Sequence, residues 1–250
     1  GALIGQGSFG CVFKPHILCK TGKSDTSDKK HVSKLIVLRQ NEEYRLRNEK
    51  EIGKMINNSK FKDNFSTIIE TCEVTRNKIK DSDINKCVPY NRFPDNKMFL
   101  AKLKYINGTN FIDTFKKKDN CVEKFLSIYK HLLNNILFLS NNKIIHYDIK
   151  WDNVLYDNTT KKGIIIDFGL AFTLDQINFS SIESVRNYFY GSWPEHSVWC
   201  FEIQYICFLL YRTQPIEIFI NEFISNKNIF LKMFNIDKNI LINICKNTIE

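Results

Sequence analysis

The sequence contains no apolar run of about 18 residues, the length that a membrane-spanning helix needs. It also lacks the basic and apolar segments of a signal peptide. The given sequence begins at Gly1-Ala2-Leu3 without a methionine. We therefore expect a protein that is neither secreted nor membrane-spanning, although a segment upstream of Gly1 would not be seen. No internal repeat or low-complexity tract interrupts the chain.

Paired or clustered cysteines are absent as well. The eight cysteines form no C-x-x-C pair, and none is grouped with a histidine at zinc-finger spacing. This pattern predicts reduced thiols and a cytoplasmic location. The cysteines are Cys11, Cys19, Cys72, Cys87, Cys121, Cys200, Cys207 and Cys245.

The charge and the length of the chain are compatible with a globular protein that has a basic surface. Lys and Arg number 36 against 27 Asp and Glu, for a formal net charge of +9. Such a surface suits phosphates or an acidic partner, and solvated lysines explain it equally well. No basic run carries interleaved aromatics, so no nucleic-acid site is predicted. With 250 residues, 43% of them hydrophobic, the chain can form one large domain or two lobes.

The first 14 residues alternate apolar and small side chains and predict a β-hairpin with a glycine-rich turn. Its glycines, Gly5, Gly7 and Gly10, stand in the order G-x-G-x-x-G. In a dinucleotide-binding fold the third glycine would open a helix, but here a strand continues to Pro15. A flap over phosphates fits better, because glycines let backbone N–H groups approach an anion. Residues 16–30 are polar and predict an exposed loop.

A short strand follows at 31–38 and carries one lysine, Lys34. A lysine in an apolar strand usually points to solvent, yet after a glycine flap it lies where it would reach the α- and β-phosphates. Residues 41–57 predict a helix that can bring a carboxylate to Lys34. We favour Glu49, which shares the apolar stripe of this helix, and Glu51 is the alternative.

The middle and the end of the chain are predicted in less detail. The remaining predicted elements are strands at 65–74 and 98–103 and helices at 111–117, 122–140, 198–211 and within 216–250. The change of pattern at 103–108 indicates a linker between two lobes. The helix at 198–211 is apolar almost all round and is therefore predicted to be buried. The polar stretch that follows Gly169 is long enough for a functional loop.

The chemistry is concentrated between Ile144 and Gly169. Two short apolar runs flank a polar turn, and each delivers an aspartate at its edge, Asp148 and Asp167. Asp148 can accept a proton from a hydroxyl group. Asn153 and Asp167 offer the oxygen ligands that Mg²⁺ prefers beside phosphates.

One chain thus combines a glycine flap, a strand lysine, a helix glutamate, H-x-D-x-K-x-x-N and D-F-G. This combination resembles the eukaryotic-type protein kinase family. The resemblance spans about residues 4–211. It implies an α+β, bilobal fold in a single kinase domain over residues 1–250. The N-lobe would be an antiparallel sheet with one main helix (about 1–103), followed by a hinge (about 104–108) and an abbreviated, mostly helical C-lobe (about 109–250).

The resemblance also assigns roles. It implies ATP and Mg²⁺ as cofactors, with Mn²⁺ able to replace Mg²⁺, and Ser or Thr hydroxyls of protein substrates as acceptors. Asp148 would be the catalytic base and Lys150 would steady the γ-phosphate, while Asn153 and Asp167 would hold the metal. The residues that would form the nucleotide site are Ile4, Gly5, Gln6, Gly7, Ser8, Phe9, Gly10, Val12, Lys34, Glu49, Leu103 as gatekeeper, and Lys104, Tyr105 and Ile106 as hinge.

The chain departs from the family pattern at several positions. Tyr147 replaces the arginine of H-R-D, the main cation for an activation-loop phosphate, so we expect activity without activation-loop phosphorylation. The segment Trp193-Pro194-Glu195 replaces A-P-E, and Glu202 is a loose substitute for the usual aspartate of the next helix.

The abundance of Asn, Ile, Lys and Phe indicates an AT-rich genome. Together with the departures, it resembles the Ser/Thr kinases of large cytoplasmic DNA viruses, which implies host cytoplasm and virion as locations. AT-rich protists share this composition. Two other functions remain open: a pseudokinase that acts as a binding scaffold, and a small-molecule kinase of related fold. The oligomeric state and the protein substrates are not predicted.

Overall fold

The computed structural model describes residues 1–7, 10–39, 42–80, 82–115, 121–189, 201–226 and 237–249. The chain divides into two compact units, Gly1–Leu174 and Asp175–Glu250. The first contains an antiparallel sheet with one main helix, and both contain helices, so the predicted α+β class is confirmed.

The predicted helices and strands occur in the predicted order, and short elements that were not predicted lie between them. The strands are β1 (Ala2–Gly7), β2 (Gly10–Lys14), β3 (His31–Leu38), β4 (Phe65–Ser66), β5 (Ile68–Val74), β6 (Lys97–Lys104), β7 (Gly108–Asn110), β8 (Ile144–Ile145), β9 (Val154–Asp157), β10 (Lys162–Ile166) and β11 (Phe172–Thr173). The helices are α1 (Glu43–Asn57), α2 (Val88–Arg92), α3 (Phe111–Phe115), α4 (Cys121–Asn141), α5 (Ile182–Tyr188), α6 (Phe201–Tyr211), α7 (Ile216–Asn226) and α8 (Lys238–Ile249).

Five strands form the main antiparallel sheet in the order β1-β2-β3-β6-β5. Its central strand β3 is apolar almost throughout because both faces of the sheet are covered. On one face Val32 and Ile36 pack with Leu46 of α1. On the other face Leu35 packs with Ile84, which belongs to the stretch after β5. That stretch is polar by composition, yet it supplies buried side chains to the core.

Two disulfides cross-link this first part of the chain. Cys11 is bonded to Cys87 and Cys19 to Cys72. The prediction of reduced thiols is therefore wrong for these four cysteines. The partners lie 76 and 53 residues apart, so their spacing gave no sign of pairing, and only the folded sheet brings their Cα atoms to 5.9 and 6.0 Å.

The segment between β2 and β3 is largely exposed, as its composition predicted, but part of it is folded onto the sheet. Ile17 pairs with Ser24 in an isolated β-bridge, and the N–H of Ile17 donates to Oγ of Ser33 at 2.7 Å. His16 and Ile17 are buried. The segment is folded onto the sheet by these bonds and by the disulfide at Cys19.

In a second sheet, of order β4-β10-β9-β7, the strand β10 leads directly to Asp167. Asp148 follows β8, which pairs with β11 in a separate two-stranded sheet. Helix α4 packs on β8 and β10 and buries Ile128 and Leu139. Three other apolar residues of α4, Phe125, Leu133 and Ile136, are more than a third exposed. The apolar surface of α4 is therefore wider than the face that it packs against the strands.

The second unit, Asp175–Glu250, is helical where it is described. The ring of Phe208 in α6 stacks on Phe219 in α7 with centroids 5.1 Å apart. Leu209 is 58% exposed, so the prediction that this helix is buried all round is wrong. Over the described parts of both units, every helix is too short or too polar to cross a membrane.

Candidate active site

Lys34 lies between two carboxylates that are distant in the sequence. Its Nζ is 2.6 Å from Oδ1 of Asp167 and 3.5 Å from Oε1 of Glu49. Glu49 is buried on the inner face of α1, whereas Glu51 is exposed and pairs with Lys54. The alternative left open by the sequence, Glu51, is therefore not the partner of Lys34 in this structure.

The three charges shift one another's pKa. Burial alone would lower the pKa of Lys34, but the carboxylates of Asp167 and Glu49 outweigh it and raise that pKa above its ordinary value. Desolvation would raise the pKa of Asp167, but the Lys34 ammonium lowers it below the usual range. For Glu49 burial dominates, with a contribution from Asp167, and its pKa is raised. Asp167 is thus the carboxylate most readily kept ionised, as a metal ligand must be.

The strands that bear the glycine flap lie next to the strand that bears this lysine. Val12 of β2 pairs directly with Lys34 of β3, so the strands that bear the flap and the lysine are adjacent. A Cβ atom on Gly5 or Gly7 would meet nothing within 4 Å, whereas on Gly10 it would lie 2.0 Å from the carbonyl oxygen of Leu35. Gly10 is therefore required by close packing against β3, and Gly5 and Gly7 leave the open space that a phosphate chain would need.

The other predicted flap residues are placed only in part. Ile4 is half exposed in β1. The side-chain oxygen of Gln6 accepts a hydrogen bond from the N–H of Val88 at 3.4 Å. Ser8 and Phe9, which form the predicted tip of the flap, lie outside the described residues.

A second group of polar side chains surrounds Asp148. Nζ of Lys150 is 2.9 Å from Oδ2 of Asp148. The amide nitrogen of Asn153 donates to the carbonyl oxygen of Asp148 at 2.8 Å and to its Oδ2 at 2.9 Å. Because the nitrogen of Asn153 is fully used in this way, its side-chain oxygen is left to face a cation. Asp148, Lys150 and Asn153 are thus brought together as predicted.

His146 connects the two groups, a role that the sequence did not assign. Its Nδ1 accepts the N–H of Asp148 at 3.3 Å, and its Nε2 lies 3.1 Å from the carbonyl oxygen of Ile166, next to Asp167. Burial lowers the pKa of His146, so the neutral ring donates at one nitrogen and accepts at the other. The histidine of the H-x-D pattern was the available signal for this connection.

Phe168 anchors the turn that carries Asp167. Its ring is buried, 4.7 Å from the ring of His146 and 5.9 Å from that of Phe65, in a cluster with Ile52 and Ile56 of α1. With the phenylalanine packed beneath α1, Asp167 is directed to Lys34. Asp167 itself has φ +64°, a left-handed conformation that is uncommon away from glycine and is frequent at functional sites.

Tyr147, the residue in place of the family's arginine, is also left-handed, with φ +65°. It is buried, and its ring lies 5.8 Å from that of Phe172. An apolar ring contact thus occupies the position from which a cation would hold an activation-loop phosphate.

The predicted hinge follows the end of β6. Leu103 is buried in the cluster between the sheet and α1. The carbonyl oxygen of Lys104 accepts the hydroxyl of Ser66 at 3.0 Å, and the N–H of Tyr105 donates to the carbonyl oxygen of Lys30 at 2.8 Å. The carbonyl oxygen of Ile106 accepts the N–H of Gly108 at 2.9 Å.

Two predicted features of the later chain cannot be located. Trp193-Pro194-Glu195 lies outside the described residues, and so does the side chain of Glu202. Within the part that the structure covers, the predicted residues therefore form two connected groups, one around Lys34 and one around Asp148.

Comparison with known proteins gives a consistent picture. The family model described as the protein kinase domain matches residues 1–191. The chain is 34% identical over 80 residues to the probable serine/threonine-protein kinase fnkB of Dictyostelium discoideum, covering 32% of this chain and 15% of that protein. It is 39% identical over 62 residues to the serine/threonine-protein kinase CAK1 of Saccharomyces cerevisiae, covering 23% and 17%.

A third relative is the serine/threonine-protein kinase pim-2 of Danio rerio, 28% identical over 102 residues, covering 35% of this chain and 33% of that protein. The matched segments thus span between 15% and 33% of the length of these curated relatives.

Proposed function

Because the chain belongs to the protein kinase family, we propose that it is a serine/threonine protein kinase that transfers the γ-phosphoryl group of Mg-ATP to protein hydroxyls. The observation that carries this proposal is the position of Lys34, within 3.5 Å of Glu49 and 2.6 Å of Asp167. Such a lysine, held by a helix glutamate next to a potential metal ligand, is the arrangement that phosphoryl transfer needs for positioning a triphosphate.

Each residue of the site has a separate role in the proposed reaction. Lys34 binds the α- and β-phosphates, and Asp167 and the side-chain oxygen of Asn153 hold the metal. Bound Mg²⁺ or Mn²⁺ supplies positive charge that neutralises the phosphate oxygens. Asp148 orients the acceptor hydroxyl and takes its proton, while Lys150, 2.9 Å from Asp148, stabilises the transferred group.

The preference for Ser and Thr rests on two supports. Lys150 stands two residues after Asp148, as in Ser/Thr kinases, and the relatives named above are all called serine/threonine kinases. Transfer of labelled phosphate from ATP to a mixed protein substrate, followed by phosphoamino-acid analysis, tests both the activity and the acceptor. Phosphotyrosine as the main product would contradict the acceptor preference.

Asp148→Asn should lower the rate of this transfer by about 10²–10⁴. Asp152→Asn, an exposed aspartate of the same loop, is the matched control and should leave the rate unchanged. No transfer by the wild-type protein would refute the proposal and would favour a pseudokinase scaffold. Phosphorylation of small metabolites but not of proteins would favour a small-molecule kinase.

We also propose that activity does not require a phosphate on the activation loop. The buried Tyr147, packed near Phe172, replaces the cation that such a phosphate would bind. The protein should therefore be equally active before and after phosphatase treatment, with dephosphorylation checked by mass spectrometry. A large loss of activity after treatment would refute this part of the proposal.

The source and location follow from composition and remain a narrower proposal. We propose a large cytoplasmic DNA virus as the source, for example one with a kinase like the asfarvirus virion kinase, which would place the protein in host cytoplasm and in the particle. Because a reducing cytosol keeps cysteines as thiols, Cys11, Cys19, Cys72 and Cys87 should be reduced in cytoplasm and oxidised in particles. Differential alkylation with mass spectrometry distinguishes the two states, and identical labelling in both would contradict this view.

A further inference from the structure

The hairpin between β2 and β3 gathers three possible metal ligands outside the kinase site. One donor atom each of His16, Asp25 and Asp28 lies within 4.8 Å of the other two. The N–H of Asp25 donates to the carbonyl oxygen of His16 at 2.8 Å, so the backbone of the hairpin holds these two residues side by side. The disulfide of Cys19 ties the same hairpin to β5.

His16 is the unusual member of this group. It is only 4% exposed, and its Nδ1 makes no hydrogen bond among the residues that the structure describes. The nearest carboxylate oxygen to this nitrogen, Oδ2 of Asp28, is 3.3 Å away. A buried ring nitrogen without a hydrogen bond is costly unless something binds to it. The imidazole is therefore available to a ligand that sits between His16 and the two carboxylates.

We propose that His16, Asp25 and Asp28 bind a zinc ion that joins the two ends of this hairpin. An imidazole with two carboxylates is a donor set for zinc or a similar transition metal, whereas Mg²⁺ and Ca²⁺ prefer oxygen alone. Donors at about 2.1 Å from a tetrahedral zinc are about 3.4 Å apart. Closing the group from 4.8 Å therefore requires shifts of about 1 Å, which the partly exposed carboxylates of Asp25 and Asp28 can make.

The hairpin itself orients the Asp25 ligand. Oδ1 of Asp25 accepts hydrogen bonds from the N–H and the hydroxyl of Ser27, which holds the carboxylate in place. Metal binding at such a site would join residues at both ends of the hairpin and so stabilise the folded chain.

Two other groups face the same carboxylate and compete with the metal. Nδ1 of His31 is 2.8 Å from Oδ2 of Asp28, and Nζ of Lys102 is 3.6 Å from the same oxygen. The Lys102 ammonium repels a cation at this distance. If Asp28 is a metal ligand, removal of the Lys102 charge should tighten zinc binding.

The test is zinc titration of the whole chain by calorimetry, with excess Mg²⁺ present to occupy the kinase site. The wild-type protein should bind one zinc ion, and Co²⁺ in its place should show the visible absorption of a tetrahedral site. Asp25→Asn and His16→Gln should weaken binding at least tenfold, and Lys102→Gln should strengthen it severalfold. Asp95→Asn, at an exposed carboxylate elsewhere, is the matched control and should have no effect.

Binding that is absent in the wild type, or equal in the wild type and Asp25→Asn, would overturn the proposal. The second result would assign the zinc to other groups, such as free cysteines. Because His16 is buried, the His16→Gln variant could fail to fold. Asp25 is only partly buried, so Asp25→Asn tests the proposal in that case as well. Kinase activity is measured separately, and its absence would leave the zinc result unaffected.

Discussion

The pairing of Lys34 with Glu49 gives the sharpest prediction for catalysis. In Glu49→Gln the side chain keeps its size but loses its charge, 3.5 Å from Nζ of Lys34. At that distance two unit charges interact by about 4–5 kcal/mol for an effective dielectric constant of about 20, which is an upper limit. Lys34 keeps its shorter contact with Asp167, at 2.6 Å, so the ammonium is not left unpaired.

Without Glu49, Lys34 should bind Asp167 more tightly and compete better with the metal for that carboxylate. We expect kcat/KM to fall about 100-fold, which corresponds to about 2.7 kcal/mol. The Mg²⁺ concentration at half-maximal rate should rise as well. Steady-state kinetics at several Mg²⁺ concentrations measure both kcat/KM and this Mg²⁺ concentration.

Glu51→Gln provides the matched control, since Glu51 lies on the same helix, is exposed and pairs only with Lys54 among the described residues. Its kcat/KM should stay within about twofold of the wild type, as is usual for an exposed ion pair. Equal losses in the two variants, or a larger loss in Glu51→Gln, would refute the reasoning. Thermal unfolding of both variants shows whether either loss reflects instability instead.

Three further predictions concern packing, cross-links and pH. Gly10→Ala should yield little folded protein, because its Cβ would lie 2.0 Å from a backbone oxygen, whereas Gly7→Ala should fold normally. Thermal unfolding of the two variants measures the difference. Reduction of the disulfides, which span 76 and 53 residues, should lower the Tm, since closing each loop contributes up to about 4 kcal/mol to the free energy of unfolding. An unchanged Tm would contradict this. At acidic pH, activity should fall as Glu49 takes up a proton, because protonation removes its ion pair with Lys34. Since the pKa of Glu49 is raised, this loss should occur at a pH above the ordinary glutamate range. A pH–rate profile checks this, and Glu49→Gln should lose that step.

Sequence and structure contributed different parts of the candidate site. The motifs were sufficient to predict Lys34, Asp148, Asn153 and Asp167, because phosphoryl transfer restricts the residue types and their order. Periodicity predicted β3 at residues 31–38 without error and α1 within two residues. The choice between Glu49 and Glu51 needed the structure, because both are carboxylates on one helix and only packing shows which of them is buried.

The features that composition predicted wrongly depend on contacts between distant parts of the chain. A polar segment such as 16–30 reads as a loop, and only its bonds to the sheet bury His16 and bring it to Asp25 and Asp28. Cysteines spaced 76 and 53 residues apart give no sign of pairing until strands and loops place them together. The sequence by itself thus predicted the candidate site residues and the order of the main elements, since local pattern and chemistry specify both. The tertiary structure decided the ion-pair partner, the cross-links and the buried histidine, because burial and distance between remote residues are properties of the folded chain alone.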